Sequence, residues 1–214
     1  MFVRALDGVG GALRGVSHVL ALAVGWVLIL LSATIVVEVV GRKLFAMSLQ
    51  GVDEYGGYIL AIGSAVGFSL ALFHKAHIRI DIVIRYLPVP VRAVADLVAL
   101  AVLAFVASEL TMTAIGVATQ SHAMQAQAVS PLRTPLEIPQ GLWAAALALF
   151  ALSVIVVFLR TAVAVAQRDW ATVEREAGLA DIEEEVAGEV ESAKRRLAHG
   201  ESAAGKNAAK ESMA

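Results

Sequence analysis

Apolar residues in this chain come in long unbroken runs. No charge interrupts 19–37 or 55–73, and each of these runs has 19 residues. A third run, 93–118, is interrupted by Glu109, and a fourth is uncharged from Ile138 to Leu159. About 20 apolar residues at 1.5 Å rise cross ~30 Å of hydrocarbon. Only helices or closed barrels satisfy their backbone there. Unalternating runs of this length predict helices, not strands of ~10 residues. The chain is expected to be an all-α integral membrane protein with four transmembrane helices, at about 16–38, 55–73, 93–118 and 138–162.

The polar punctuation predicts how the helices are threaded. Arg4, Arg14, Lys75, Arg79, Arg85, Arg92, Arg168 and Arg175 fall on one side of such a bundle, and Arg42, Lys43 and Arg133 on the other. Eight against three places both termini in the cytoplasm. Loops 39–54 and 119–137 then face outward. Trp143 lies near the outer interface and Trp170 near the inner one, where indole is favoured. The first apolar run exceeds the roughly 7–15 residues of a signal-peptide core, so it is read as an uncleaved span. The segment HIRIDIVIRYLPVPVR is too short to span; it predicts a cytoplasmic interfacial helix or turn, stopped by Pro88 and Pro90. The loop 119–137 carries Pro131 and Pro135 and is expected to be ordered against another part of the structure. Pro139 suits the first turn of the last helix.

Residues 1–168 thus form a membrane domain and 169–214 a charged cytoplasmic tail. Leu179, Ile182, Val186, Val190, Ala193 and Leu197 recur at helical spacing, and the last dozen residues read as disordered. Composition agrees: 58% of residues are hydrophobic and the mean hydropathy is +0.74. A net charge of -2 offers no phosphate-binding surface, so no nucleic-acid partner is expected. With no cysteine, thiolate metal sites, disulfides and cysteine nucleophiles are excluded. No triad, phosphate loop or zinc motif is present, and neither an enzyme nor a cofactor is predicted.

A few positions stand out. Glu109 is the carboxylate well inside a span, where ionisable groups are costly and functional by default. It could bind a cation, relay a proton or meet a basic group of a partner, or it could be hydrated near the outer interface, with Ser108, Thr111 and Thr113 making its side polar. Gly63 and Gly67 form a small-xxx-small pair, suited to close packing within the chain or against another subunit. Glu38, Arg42, Asp53 and Glu54 cluster about the outer ends of the first two spans, and the short connection makes an Arg42–Glu54 ion pair the natural expectation. It is either a clamp between helices or subunits, or ordinary interfacial charge. His18, His74 and His77 lie near the opposite ends. Paired histidines could ligate haem, though such ligands normally sit within the spans. His74 and His77 lack the carboxylates of a metal site.

Three stretches carry a resemblance: VVEVVGRKLFAMSLQGVDEYGGYIL, AVGFSLALFHKAHIRIDIVIRYLP and TPLEIPQGLWAAALALF. In order and spacing they resemble the small permease subunit of TRAP transporters, the DctQ-like or Q subunit, over roughly residues 15 to 166. Arg42, Glu54, His77, Asp81, Pro135 and Pro139 match the family pattern. Val52 departs from it, standing where an aromatic residue is frequent, and the tail after Asp169 is longer than usual. The resemblance implies a small subunit of the bacterial inner membrane, surrounded by lipid. It would scaffold a large permease subunit and work with a periplasmic solute-binding protein in sodium-driven uptake of an organic acid. It also favours the clamp reading of Arg42 and Glu54. Two alternatives from other classes are a cytochrome-type membrane anchor of an oxidoreductase, and a structural membrane protein that self-associates through its Gly63 face.

Overall fold

The computed structural model describes residues 2–46, 50–74, 88–170, 172–173 and 190–192. Four helices account for most of them: α1 (Phe2–Phe45), α2 (Val52–Phe73), α3 (Val89–Ala123) and α4 (Glu137–Ala166). All four are long and apolar enough to cross a membrane. Among the described residues the only β-type pairing is an isolated bridge between Gln127 and Pro135.

Each helix contains the residues of its expected span and extends beyond them, α2 by three residues at its start. Hydrocarbon thickness limits the apolar run, not the helix. α1 continues through Arg42 and Lys43, whose positive charges meet the negative end of the helix dipole. α3 opens on extended Pro88, with Pro90 in its first turn, where a missing N–H leaves no bond unmade. The two prolines therefore start a helix. The interfacial segment they were expected to stop lies outside the described residues. Pro139 sits in the first turn of α4 as expected. Contacts divide the chain into two compact units, 1–178 and 179–214. In the second, only 190–192 are described, as an exposed helical segment; the rest of the expected tail helix falls outside the described residues.

Within the first unit α4 is the central helix, packed on α1, α2 and α3, while α1 also packs on α2. The core forms three layers along the bundle. Ala65, Val66, Ala114, Ala144, Ala146 and Leu147 fill the layer nearest the α1–α2 and α3–α4 connections. Leu72, Leu100, Ala107, Phe150, Ala151, Val154 and Val157 fill the middle. Ala93, Ala164 and Val173 close the far end. On α3 the buried residues Ala93, Leu100, Ala107 and Ala114 recur every seven positions, the repeat of a left-handed helix pair. Because lipid is as apolar as leucine, burial alone does not drive such pairs together; alanine lets the backbones approach closely enough for dispersion to do so.

Polar groups are handled inside the helices. Ser153 and Thr161, both fully buried, return their hydroxyls to Leu149 O at 2.7 Å and Val157 O at 2.9 Å. After α4, Arg168 adopts a left-handed φ of 56°, and Asp169 then caps a new helical turn through Thr172 N at 3.2 Å. Trp170 packs against the far-end layer and Trp143 against the layer near the connections, so the two indoles stand at opposite ends of the bundle.

Candidate subunit interface

The α1–α2 connection is tight, and the sequence explains why. Gly51 has φ 91° and ψ -5°, a left-handed conformation that glycine alone adopts without strain. It hands the chain directly into α2, whose first turn carries Asp53 and Glu54 at the positive end of the helix dipole. On the other side of the connection Arg42 folds back on its own helix. Its Nη2 donates to Glu38 Oε1 at 2.5 Å and its Nε to the same oxygen at 3.1 Å. Glu38 is 4% exposed, and Arg42 extends out of the helix surface.

The expected Arg42–Glu54 ion pair is thus not formed. Glu38 stands one turn before Arg42 and takes the guanidinium first. Glu54 instead accepts from Tyr58 Oη at 3.0 Å. The hydroxyls of Ser130 and Thr134, from the α3–α4 loop, also approach its carboxylate. Glu54 Oε2 and Ser130 Oγ are both buried, and neither completes a hydrogen bond among the described residues. Leu132 of the same loop lies over Gly51, where an added Cβ would come within 2.1 Å of its Cδ1.

That loop is ordered, as its prolines suggested. Ala128 N donates to Thr134 O at 2.9 Å and Leu136 N to Ala126 O at 3.0 Å, around the bridge between Gln127 and Pro135. His122 at the end of α3 meets Glu137 at the start of α4 in a close ion pair. Loop and helix ends therefore form a cap that lies across the α1–α2 connection. This cap was not legible as a site, because its contacts join residues more than seventy positions apart.

The glycine pair of α2 divides between two environments. At Gly63 an added Cβ would stand 2.9 Å from Val24 Cγ1, so this glycine serves close packing of α1 on α2 within the chain. At Gly67 an added Cβ meets nothing within 4 Å. Of the two uses foreseen for the pair, Gly63 takes the internal one and Gly67 remains open.

Glu109 lies on an exposed side of α3 with Phe105 and Met112, which are 66% and 70% exposed. The expected polar side forms only in part: Thr113 is exposed one turn from Glu109, while the other two hydroxyls are tied to their own helix. Ser108 donates to Ala104 O at 2.7 Å, and buried Thr111 turns inward and donates to Ala107 O at 2.8 Å. The buried carboxylates of the helices are Glu38 and Asp96, each 4% exposed. Asp96 was passed over because it stands near the start of its span.

At the far end, Asp7 of α1 meets Arg160 of α4 at 2.8 Å. Gly10 makes room for the pair, since an added Cβ there would reach Arg160 Nη1 at 3.0 Å. His18 and His74 line one cavity at this end. No group of three or more metal-ligating side chains occurs among the described residues. His77 and Asp81 lie outside them.

The surface is otherwise apolar. The most apolar window of α1 has none of its residues buried within the chain, against half of them for α4. Trp26, Ile29, Leu30, Val36 and Val37 are each 60% exposed or more.

The chain was compared with known families, curated proteins and solved structures. The family described as tripartite ATP-independent periplasmic transporters, DctQ component, matches residues 31–164. No curated protein and no solved structure matches the chain. The family match begins within α1 and ends within α4, taking in the cap, the glycine pair and Glu109. It covers well over half of the sequence, and this multi-pass inner-membrane protein therefore belongs to the DctQ family, the small membrane subunits of TRAP transporters.

Proposed function

We propose that the chain scaffolds the large membrane subunit of its transporter and does not itself carry the solute. The observation that carries this reading is the bare apolar surface of α1 and α3, with a carboxylate, Glu109, set into it. Solute sites of secondary transporters are built from broken helices at the midplane, with freed backbone groups facing the ligand. Here four helices run unbroken, and the buried hydroxyls of Thr111, Ser153 and Thr161 donate to carbonyls of their own helices, while those of Ser17 and Ser69 make no hydrogen bond among the described residues. In this reading both termini are cytoplasmic, so the cap over Gly51 faces the periplasm, where a solute-binding protein would arrive. The sodium gradient and the organic-acid class of solute rest on the family resemblance alone. The cytochrome reading has little support, since His18 and His74 stand at the helix ends.

The test is copurification from the native membrane in mild detergent. A larger polytopic subunit should come down with the tagged chain. A lone monomer, with transport intact in cells lacking the chain, would end the proposal. The two glycines sharpen the test. Gly67→Leu should lower recovery of the large subunit several-fold while leaving the melting temperature of the purified chain nearly unchanged, because its side chain enters open space. Gly63→Leu should do the reverse, destabilising the chain by about 1–3 kcal/mol through overpacking against Val24. Equal recovery for the Gly67 variant and wild type would remove that face from the interface.

A further inference from the structure

We propose that the groove between the N-terminal part of α1 and the C-terminal end of α2 binds the phosphate of an anionic phospholipid. A cavity of about 470 Å³ opens there, lined by Gly11, Arg14, Gly15, His18, Phe73 and His74 among others. Arg14 lies with its guanidinium carbon 5.5 Å from the centroid of the Phe73 ring, a cation–π contact that holds it over the cavity without neutralising it. Gly11 and Gly15, one turn apart on α1, leave the floor open, since an added Cβ at either meets nothing within 4 Å.

The charge pattern sets this groove apart. Several basic groups near the helix ends have acidic partners: Arg42 has Glu38, Arg160 has Asp7 and His122 has Glu137. Among the described residues no carboxylate lines this cavity. Arg14 supplies a fixed positive charge and a planar fork of donors that suits phosphate oxygens, and His18 and His74 add ring N–H donors. In the sequence Lys75 follows His74 directly.

Depth identifies the source of the phosphate. Arg14 and His18 immediately precede the uncharged run 19–37, and Phe73 is the last residue of the uncharged run 55–73. Both helices therefore place the groove at headgroup level. Beyond it α1 exposes Val16, Val19 and Leu22, a track for an acyl chain. A zwitterionic headgroup would bring an ammonium beside Arg14, where none of the described lining residues is a carboxylate that could receive it. Basic pockets between transmembrane helices hold anionic headgroups for these reasons.

The test uses the full chain, purified in detergent and exchanged into mixed phosphatidylglycerol and phosphatidylcholine, with bound lipid read by native mass spectrometry. Wild type should retain phosphatidylglycerol about tenfold over phosphatidylcholine. Arg14→Gln should abolish that preference and Arg14→Lys should keep most of it. Gly15→Leu should fill the groove and lower retention of both lipids. Equal retention of the two lipids by wild type, or an unchanged preference in Arg14→Gln, would overturn the proposal. So would displacement of the bound lipid by millimolar inorganic phosphate, which would mark the groove as a site for a soluble anion.

Discussion

Gly51→Val is expected to destabilise the protein by about 2–4 kcal/mol. Two costs combine. A left-handed backbone costs a non-glycine residue roughly 1–2 kcal/mol, and a β-branched one more. The new side chain must also displace Leu132, whose Cδ1 already occupies the Cβ position. Leu132 is 43% exposed and can swing aside, so the backbone term dominates. Gly51→Ala should therefore lose about half as much, and adding Leu132→Ala should recover only a minor part of that loss. Unfolding of the purified chain, followed by heat or by a denaturing detergent, measures each value. A loss below about 0.5 kcal/mol for valine would mean that the connection relaxes freely and that the cap is not seated on it.

Glu109→Lys is expected to reduce recovery of the large subunit at least tenfold. At 1.5 Å per residue Glu109 stands roughly 5 Å from the midpoint of the 93–118 span. A charged carboxylate near the bilayer centre costs about 2.5–3.5 kcal/mol on insertion scales. It faces outward and its neighbours Phe105 and Met112 are apolar, so the scaffold reading places a donor of the large subunit opposite it. Lysine would set a cation against that donor, and like charges in an interface cost several kcal/mol. Glu109→Gln, which keeps an acceptor oxygen, should lose far less. The readout is the ratio of large to small subunit in a tagged preparation. If the lysine variant brought down as much large subunit as wild type, Glu109 would lie outside the interface.

The four spans were legible because each is a long, predominantly apolar stretch, and three of them run uncharged for nineteen residues or more. Pro139 was legible for a similar reason, since the rule governing proline in a first turn is local. Arg42 shows where local reading was set aside. Glu38 lies at i-4, a favourable ion-pair spacing on a helix, yet the short connection drew attention to Glu54. The partners of Glu54 could not have been found this way, because Ser130 and Thr134 are brought to it by the packing of separate helices. Gly63 and Gly67 share one motif and were given one role. Their separation depends on where α1 crosses α2, a quantity that residue spacing does not contain. Glu109 was found as an unusual residue, but one of the hydroxyls grouped with it does not share its side. Thr111, two positions on, turns to the opposite side of the helix and into the core.

The contrast between bare α1 and gathered α4 bears on how the chain enters the membrane during synthesis. α2 has the least apolar membrane-crossing stretch of the four helices and the highest proportion of glycine, and it is the one that must carry Asp53 and Glu54 across in the proposed orientation. Left to partition by itself, it would be the segment most easily lost to the aqueous side. α1 emerges from the ribosome first, inserts on its own apolarity, and offers Val24 and Leu31 to Gly63 and Gly56 as they follow. The first helix thus acts as a template for the second, so a polar lesion in α1 should disturb the topology of the next helix before it disturbs the stability of the finished bundle.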